Sequence, residues 1–229
     1  MDWRENAKKT AAVEAAKHVK DDFFVGLGSG TTVAYVFQEL GKRIQKEKLR
    51  IQGVPTSHQA FLLAVKNKIP ITTLDEHPQL DITIDGADQV DPKLDMIKGM
   101  GGALTREKIV ASASKLNVII VDETKVARQL GVNQLVPVEV LPFALSPVIA
   151  RLHKLGGKPV LREAEKKLGP VVTDNGNFIL DVDFGPISSP KELDQKLKAL
   201  AGIVETGLFV GMANIVYVGG KEGVRKLEK

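Results

Sequence analysis

The chain has 229 residues, 43% of them apolar and 26% charged, with a formal net charge of +4. That supplies a packed core for one large domain or two small ones, and charges of interleaved sign describe a solvated surface with a slight cationic bias that suits an anionic small substrate. Aromatic residues make up only 5% and no run of five basic residues occurs, so nucleic acid is not an expected partner, while the absence of cysteine excludes disulfides, thiol nucleophiles and cysteine-ligated metals.

Residues 3–20 repeat alanine, valine and lysine at helical spacing, with charges where a signal peptide needs an apolar core, so a cytoplasmic protein is expected. FFVGL at 23–27 reads as a strand running into glycines. A helix from about Thr32 to Lys46, a strand at IQGVP, a helix near Gln59 to Lys66, strands at ITTL and DITID, a helix from about Ala103 to Lys115 and a strand at NVIIVD follow. Strands this apolar, alternating with helices, predict an α/β domain with a mostly parallel sheet covered on both faces.

After Gly131 the pattern changes to LVPVEVLP (strand), SPVIARLHKLGG (helix), KPVLRE and NFILDVDF (strands), SPKELDQKLKAL (helix) and GIVETGLF (strand). This βαββαβ order is the split unit of ferredoxin-like domains. The expected division is one domain over 1–132 and 206–229 and a small α+β domain at 133–205, with the chain returning to the first sheet through Ala213–Gly219 and ending in a closing helix. AGIVETGLFVGMANIVYVGG carries Glu205, Asn214 and five glycines, so it reads as buried strands with a turn and no membrane partner is expected.

Three stretches carry residue types suited to chemistry. GLGSGTT (26–32) links a strand to a helix, and Gly28, Ser29, Gly30, Thr31 and Thr32 would present bare N–H groups and hydroxyls at a helix N-terminus, where a phosphate is favoured. The spacing is neither the dinucleotide fingerprint nor a P-loop, and a tight turn without ligand is the plain alternative. In DGADQVD (85–91), three carboxylates in seven residues could ligate a hard cation, hydrogen-bond a polyol or simply solvate a loop; Asp85 and Asp88 flank Gly86-Ala87 at a strand's carboxyl end and could both face a sugar hydroxyl, whereas Asp91 before Pro92 reads as loop chemistry.

In KGMGGALTREKI (98–109), Ala103, Leu104, Val110 and Ala111 are the helical neighbours of Glu107, which would desolvate its carboxylate and raise its pKa toward that of a useful base. A surface pairing of Glu107 with a cation is the competing reading, and Arg106 has equally apolar neighbours. Gly99, Gly101 and Gly102 let backbone approach a small substrate, and Lys98 offers a cation to a developing oxyanion. Lys125, just beyond NVIIVD, could meet a phosphate or simply be solvated. The four histidines lie in separate elements without ligand spacing, so no metal site is expected.

GLGSGTT, DGADQVD and KGMGGALTREK in this order, followed by VDETK, closely resemble ribose-5-phosphate isomerase of the A type over nearly the whole chain. The resemblance implies an aldose–ketose isomerase of the non-oxidative pentose phosphate pathway, without metal or organic cofactor, on a Rossmann-like sheet with a small α+β domain, assembled as a homodimer or homotetramer. It implies Glu107 as the base that moves a proton between C1 and C2, with Asp85, Asp88 and Lys98 assisting ring opening, holding hydroxyls and stabilising an enediolate. It places Ser29, Thr31, Thr32, Lys125 and Lys8 where the family grips phosphate. Met100 departs from the pattern, standing where many members have another glycine. A sugar-phosphate-sensing regulator would bring a DNA-binding segment, and an amino-sugar-phosphate deaminase a histidine beside its carboxylates; neither feature is found. A CoA transferase remains as a further relative of similar architecture.

Overall fold

The computed structural model describes residues 3–228, and the chain divides into two compact units. The first runs through Ala87 and adds Arg106–Val126 and the residues from Met212 onward; the second comprises Asp88–Thr105 and Ala127–Gly211. The elements begin α1 (Trp3–Ala16), β1 (Phe23–Leu27), α2 (Ala34–Glu47), β2 (Ile51–Pro55), α3 (His58–Lys66), β3 (Ile82–Gly86), β4 (Gln89–Val90), β5 (Met96–Ile97), α4 (Leu104–Ser112) and β6 (Asn117–Asp122). They continue β7 (Val136–Val140), α5 (Leu145–Lys154), β8 (Lys158–Leu161), β9 (Phe178–Asp183), α6 (Pro190–Lys198), β10 (Ile203–Thr206), β11 (Leu208–Phe209), β12 (Ile215–Gly220) and β13 (Gly223–Glu228).

The first unit is mixed α/β around a six-stranded sheet of order β13-β12-β6-β3-β1-β2. Every neighbouring pair is parallel except β12 with β13. The unbroken apolar run of β6 is what a strand covered on both faces requires, and all six of its residues are buried. On α1 the buried residues Ala7, Ala11, Ala12, Ala15 and Ala16 recur at helical spacing, and their small side chains let the helix lie close to the sheet. Leu27, Phe37, Leu40, Ile82, Ile84, Val118 and Ile120 fill the core between helices and strands. Because β2 lies on one side of β1, and β3, β6 and β12 on the other, the strand order reverses at β1/β3. Open α/β sheets bind ligands at such a reversal, outside the strands' carboxyl ends.

Two expectations are corrected here. ITTL is not a strand, since only Ile71 bridges to Gly53, and Thr73 then accepts a hydrogen bond from the Glu76 N–H to start a turn. The closing helix is instead β13. Its pairing Gly220↔Gly223 leaves Lys221 and Glu222 as a two-residue hairpin loop, and Val224 packs against the first unit's core. An edge strand hydrogen-bonded to β12 supplies partners that a short charged helix would have had to find in solvent.

In the second unit β7, α5, β8, β9, α6 and β10 follow in that order, and the strands form an antiparallel sheet of order β10-β7-β9-β8. The expected 133–205 span lies inside this unit, but 88–105, 127–132 and 206–211, expected in the first domain, group with it as well, because β4, β5 and β11 pair with one another here. Val136, Val138 and Val140 alternate along β7 and pack with Leu180, Val182, Val148, Leu152 and Leu197. Glu139 is fully buried in β7 and accepts hydrogen bonds from the side chains of Thr105, Thr173, Asn175 and Asn177. A three-stranded sheet, β11-β5-β4, completes the unit. Its members fall within and beside stretches expected to be loops or one longer strand, because GIVETGLF breaks at Gly207 into β10 and β11.

Candidate active site

Parallel pairing lines up the carboxyl ends of β2, β1, β3, β6 and β12 along one edge of the first unit's sheet. The loop 28–33 leaves β1 there and leads into α2, whose first turn receives Ala34 N–H on Gly30 O at 3.2 Å. Gly28 must lack a side chain, since a Cβ there would meet Asp85 Oδ1 at 2.2 Å. Asp85, 3% exposed at the end of β3, accepts hydrogen bonds from Ser29 N–H at 3.1 Å and Gly86 N–H at 2.7 Å. A carboxylate and the start of the glycine loop are thus fixed to one another across the β1/β3 reversal.

The loop is held on its other side by residues following β2. Ser29 Oγ lies 2.8 Å from Thr56 Oγ1 and 2.6 Å from Ser57 Oγ, and Gly30 N–H donates to Gln59 Oε1 at 3.0 Å. Ser57 is also the N-cap of α3, accepting from Ala60 N–H at 3.0 Å. Thr56, Ser57 and Gln59 were not singled out in the sequence, although serine just before a helical pattern and just after a strand end is a readable capping signal. Thr31 is exposed and Thr32 half-buried in the turn that precedes α2.

Glu107 lies on α4 and is 5% exposed, whereas Arg106 is half-buried; burial therefore distinguishes the two where helical spacing does not. α4 runs antiparallel to the strands: Leu80 N–H, before β3, bonds Ala113 O at 2.8 Å, while Val110 Cγ1 occupies the space over Gly26, late in β1. One further turn toward the helix N-terminus carries Glu107 onward to the strands' carboxyl edge, on the same side of the helix as Val110. Glu107 and Asp85 are therefore two buried carboxylates brought to one edge of one sheet.

The lysines of this unit reach the same edge from either direction. Lys125 is half-buried in a turn of 3-10 helix, Glu123–Lys125, directly after β6 and capped by Asp122 accepting from Thr124 N–H at 2.9 Å. Lys8 is on α1 beside Ala7, whose carbonyl lies against Gly219 near the end of β12. It does not bond the 28–32 loop; it pairs with Glu5 at 2.8 Å, and Glu5 in turn accepts from Tyr35 Oη at 2.5 Å.

The remaining candidates belong to the second unit. Lys98 is 4% exposed, its N–H donates to Gly207 O at 2.8 Å, and its ammonium stands 5.3 Å from the Phe209 ring centroid, a cation–π distance. Asp88 accepts from Met100 N–H at 3.0 Å, so the aspartate is joined to the glycine segment by its backbone. Gly99 and Gly102 hold φ of 106° and 81°, a region glycine alone enters freely, and Gly101 has open space where a side chain would stand. Among the described residues no group of three or more histidine, aspartate or glutamate side chains is placed to hold a metal ion. These residues offer acid–base and cationic groups, which is the equipment of proton transfer next to a carbonyl.

The family model for ribose 5-phosphate isomerase A (phosphoriboisomerase A) matches residues 52–223. Ribose-5-phosphate isomerase A of Methanosarcina acetivorans is 50% identical over 220 residues, which cover 96% of this chain and 93% of that protein. Among solved structures, a D-ribose-5-phosphate isomerase in complex with phospho-erythronic acid superposes with a TM-score of 0.96 at 45% identity, covering 98% of this chain and 99% of that one. Ribose 5-phosphate isomerase A of Methanocaldococcus jannaschii gives a TM-score of 0.95 at 44% identity over 99% of this chain and 100% of that one. Likeness this even from end to end takes in both units and every motif, and the chain belongs to the ribose 5-phosphate isomerase A family.

Proposed function

We propose that the protein interconverts D-ribose 5-phosphate and D-ribulose 5-phosphate by proton transfer through an enediolate, as a step of the non-oxidative pentose phosphate pathway. The supporting observation is the pair of buried carboxylates, Glu107 and Asp85, at the sheet edge that also carries the 28–32 loop. In the opened aldose, Glu107 takes the proton from C2 as the C1 carbonyl oxygen gains charge. The same carboxyl then returns a proton to C1 while the C2 oxygen becomes the ketose carbonyl, its hydroxyl proton passing to O1. Lys98 opposes the charge on the enediolate oxygen, and Asp85 and Asp88 hold sugar hydroxyls and assist ring opening. Bare amides and hydroxyls of Gly28–Thr32, with Lys125 and Lys8, take the phosphate, and Gly99, Gly101 and Gly102 admit the sugar close to the backbone.

The wider reading includes a ferredoxin-like domain at 133–205, supported by the βαββαβ order and the strand order β10-β7-β9-β8, beside a Rossmann-like catalytic domain. It also includes no metal or organic cofactor, a homodimer or homotetramer, and a cytoplasmic location. No helix among the described residues is long and apolar enough to cross a membrane.

The deciding experiment is Glu107→Gln. An amide keeps the shape of the carboxylate but accepts no proton, so kcat should fall on the order of 10²–10⁴ with the fold and substrate binding retained. A Glu107→Gln enzyme turning over ribose 5-phosphate at near the original kcat would remove Glu107 from the chemistry.

A further inference from the structure

The segment after β5 is glycine at three of its four positions from 99 to 102, and two of these hold positive φ. Glycine gives up more conformational freedom on folding than any other residue, so such a segment keeps one shape only where other groups grip its backbone. Two of the grips already described are the Lys98 N–H on Gly207 O and the Met100 N–H on Asp88. The segment adds one of its own, Gly102 N–H on Gly99 O at 3.0 Å.

The last grip comes from outside every motif. Arg162, directly after β8, donates from Nη1 to Gly99 O at 3.0 Å and to Met100 O at 3.0 Å. Its other edge is occupied: Nε donates to Asp181 Oδ2 at 2.7 Å and Nη2 donates to Asp181 Oδ1, a two-pronged pairing with both side chains 13% exposed. The guanidinium is planar and its five N–H groups are fixed relative to one another, so a carboxylate held on one edge aims Nη1 at the two carbonyls. Lysine, a point charge on a flexible stem, cannot serve both partners in that geometry.

We propose that Arg162, oriented by Asp181, is a positioning residue for the isomerisation: it fixes the carbonyls of Gly99 and Met100, and so the backbone that carries Lys98 and the glycine amides. The inference rests on the reading in which Lys98 and this segment meet the substrate, and it requires no contact between Arg162 and the sugar. Unpinned, the segment samples several shapes, and the cation is in place for the enediolate during only part of the time. The loss therefore falls on turnover more than on phosphate recognition.

The test compares Arg162→Lys, Asp181→Asn and Lys98→Ala with the original enzyme. The measurements are kcat and KM for ribose 5-phosphate, inhibition by inorganic phosphate, thermal midpoint, and amide hydrogen exchange over 98–102. In Arg162→Lys and Asp181→Asn, kcat should fall about tenfold or more, since small misplacements of reacting groups carry costs of this order. Phosphate inhibition should stay within about twofold, and exchange over 98–102 should quicken at a nearly unchanged midpoint. Should Arg162→Lys fail to fold, Asp181→Asn gives the same reading with the arginine still present. A kcat within about twofold of the original in the folded variants overturns the proposal, as does a loss in which kcat, phosphate inhibition and midpoint all decline together. Lys98→Ala separates the two levels: full turnover there refutes the role of Lys98 itself, whereas collapse there beside normal turnover in Arg162→Lys refutes the positioning role alone.

Discussion

Gly28 and Gly101 occupy similar-looking glycine-rich stretches but differ sharply in what surrounds them. A methyl group at Gly28 would lie 2.2 Å from Asp85 Oδ1 and 2.7 Å from Asp85 Cα, and because the second atom is backbone no rotamer of Asp85 relieves the clash. At Gly101 nothing lies within 4 Å, and its φ is not positive. Gly28→Ala should therefore push β1 from β3 and lower the thermal midpoint, whereas Gly101→Ala leaves the midpoint unchanged and acts on kcat/KM only through the sugar that its Cβ would meet. Thermal unfolding and initial rates at low substrate measure the two, and equal midpoints at the two positions would show that the Gly28–Asp85 approach is unimportant. Residue types in the three motifs are legible in the sequence because strand ends and helix starts are punctuated by glycine, serine and aspartate. Which partner each one meets is not. Thr56 and Ser57 reach Ser29 only because β2 pairs with β1, and Arg162 reaches Met100 across 62 positions of sequence.

At the scale of elements, α3 shows how one residue serves two structures. Ser57 caps its N-terminus and also hydrogen-bonds Ser29 of the loop after β1. Ser57→Ala should cost about 1 kcal/mol, the usual value of such a cap, read as a lower urea midpoint with unchanged slope. The Ser29–Thr56 bond survives the substitution, so KM should rise only a few-fold. A stability change without any change in KM would mean that the cap alone matters. Long apolar runs such as NVIIVD and the valine alternation of β7 identify their strands because burial on two faces or one leaves a distinct period. The two-residue strands β4, β5 and β11 are too short to carry a period at all. At GVRKLE, two apolar residues three apart suit a helix as well as a strand, and pairing with β12 decides the matter. Tertiary hydrogen bonding thus overrides a weak local pattern.

At the scale of the whole molecule, the ends of the described chain meet. His18, just past α1, is hydrogen-bonded to Tyr217 Oη of β12 at 2.8 Å. Burial, and after it the nearby charge of Lys226, lowers its pKa below the usual 6.5. The folded protein therefore binds this proton less readily than the unfolded chain. Its contribution to stability is complete above about pH 6.5 and is lost as pH falls through the lowered value. Thermal midpoints measured downward from pH 7 should decline less steeply in His18→Gln than in the original, and parallel curves would assign the decline to other groups. The same closure orders events in time. α1 packs against α2, β6 and β12, and of the partners of its C-terminal end Tyr217 comes late, 199 positions after His18. At 5–20 residues per second that last contact follows His18 by roughly 10–40 s, by which time α2 and β6, which also pack against the helix, have been made. A growing chain therefore covers this helix in stages, first with α2, then with β6 and last with β12.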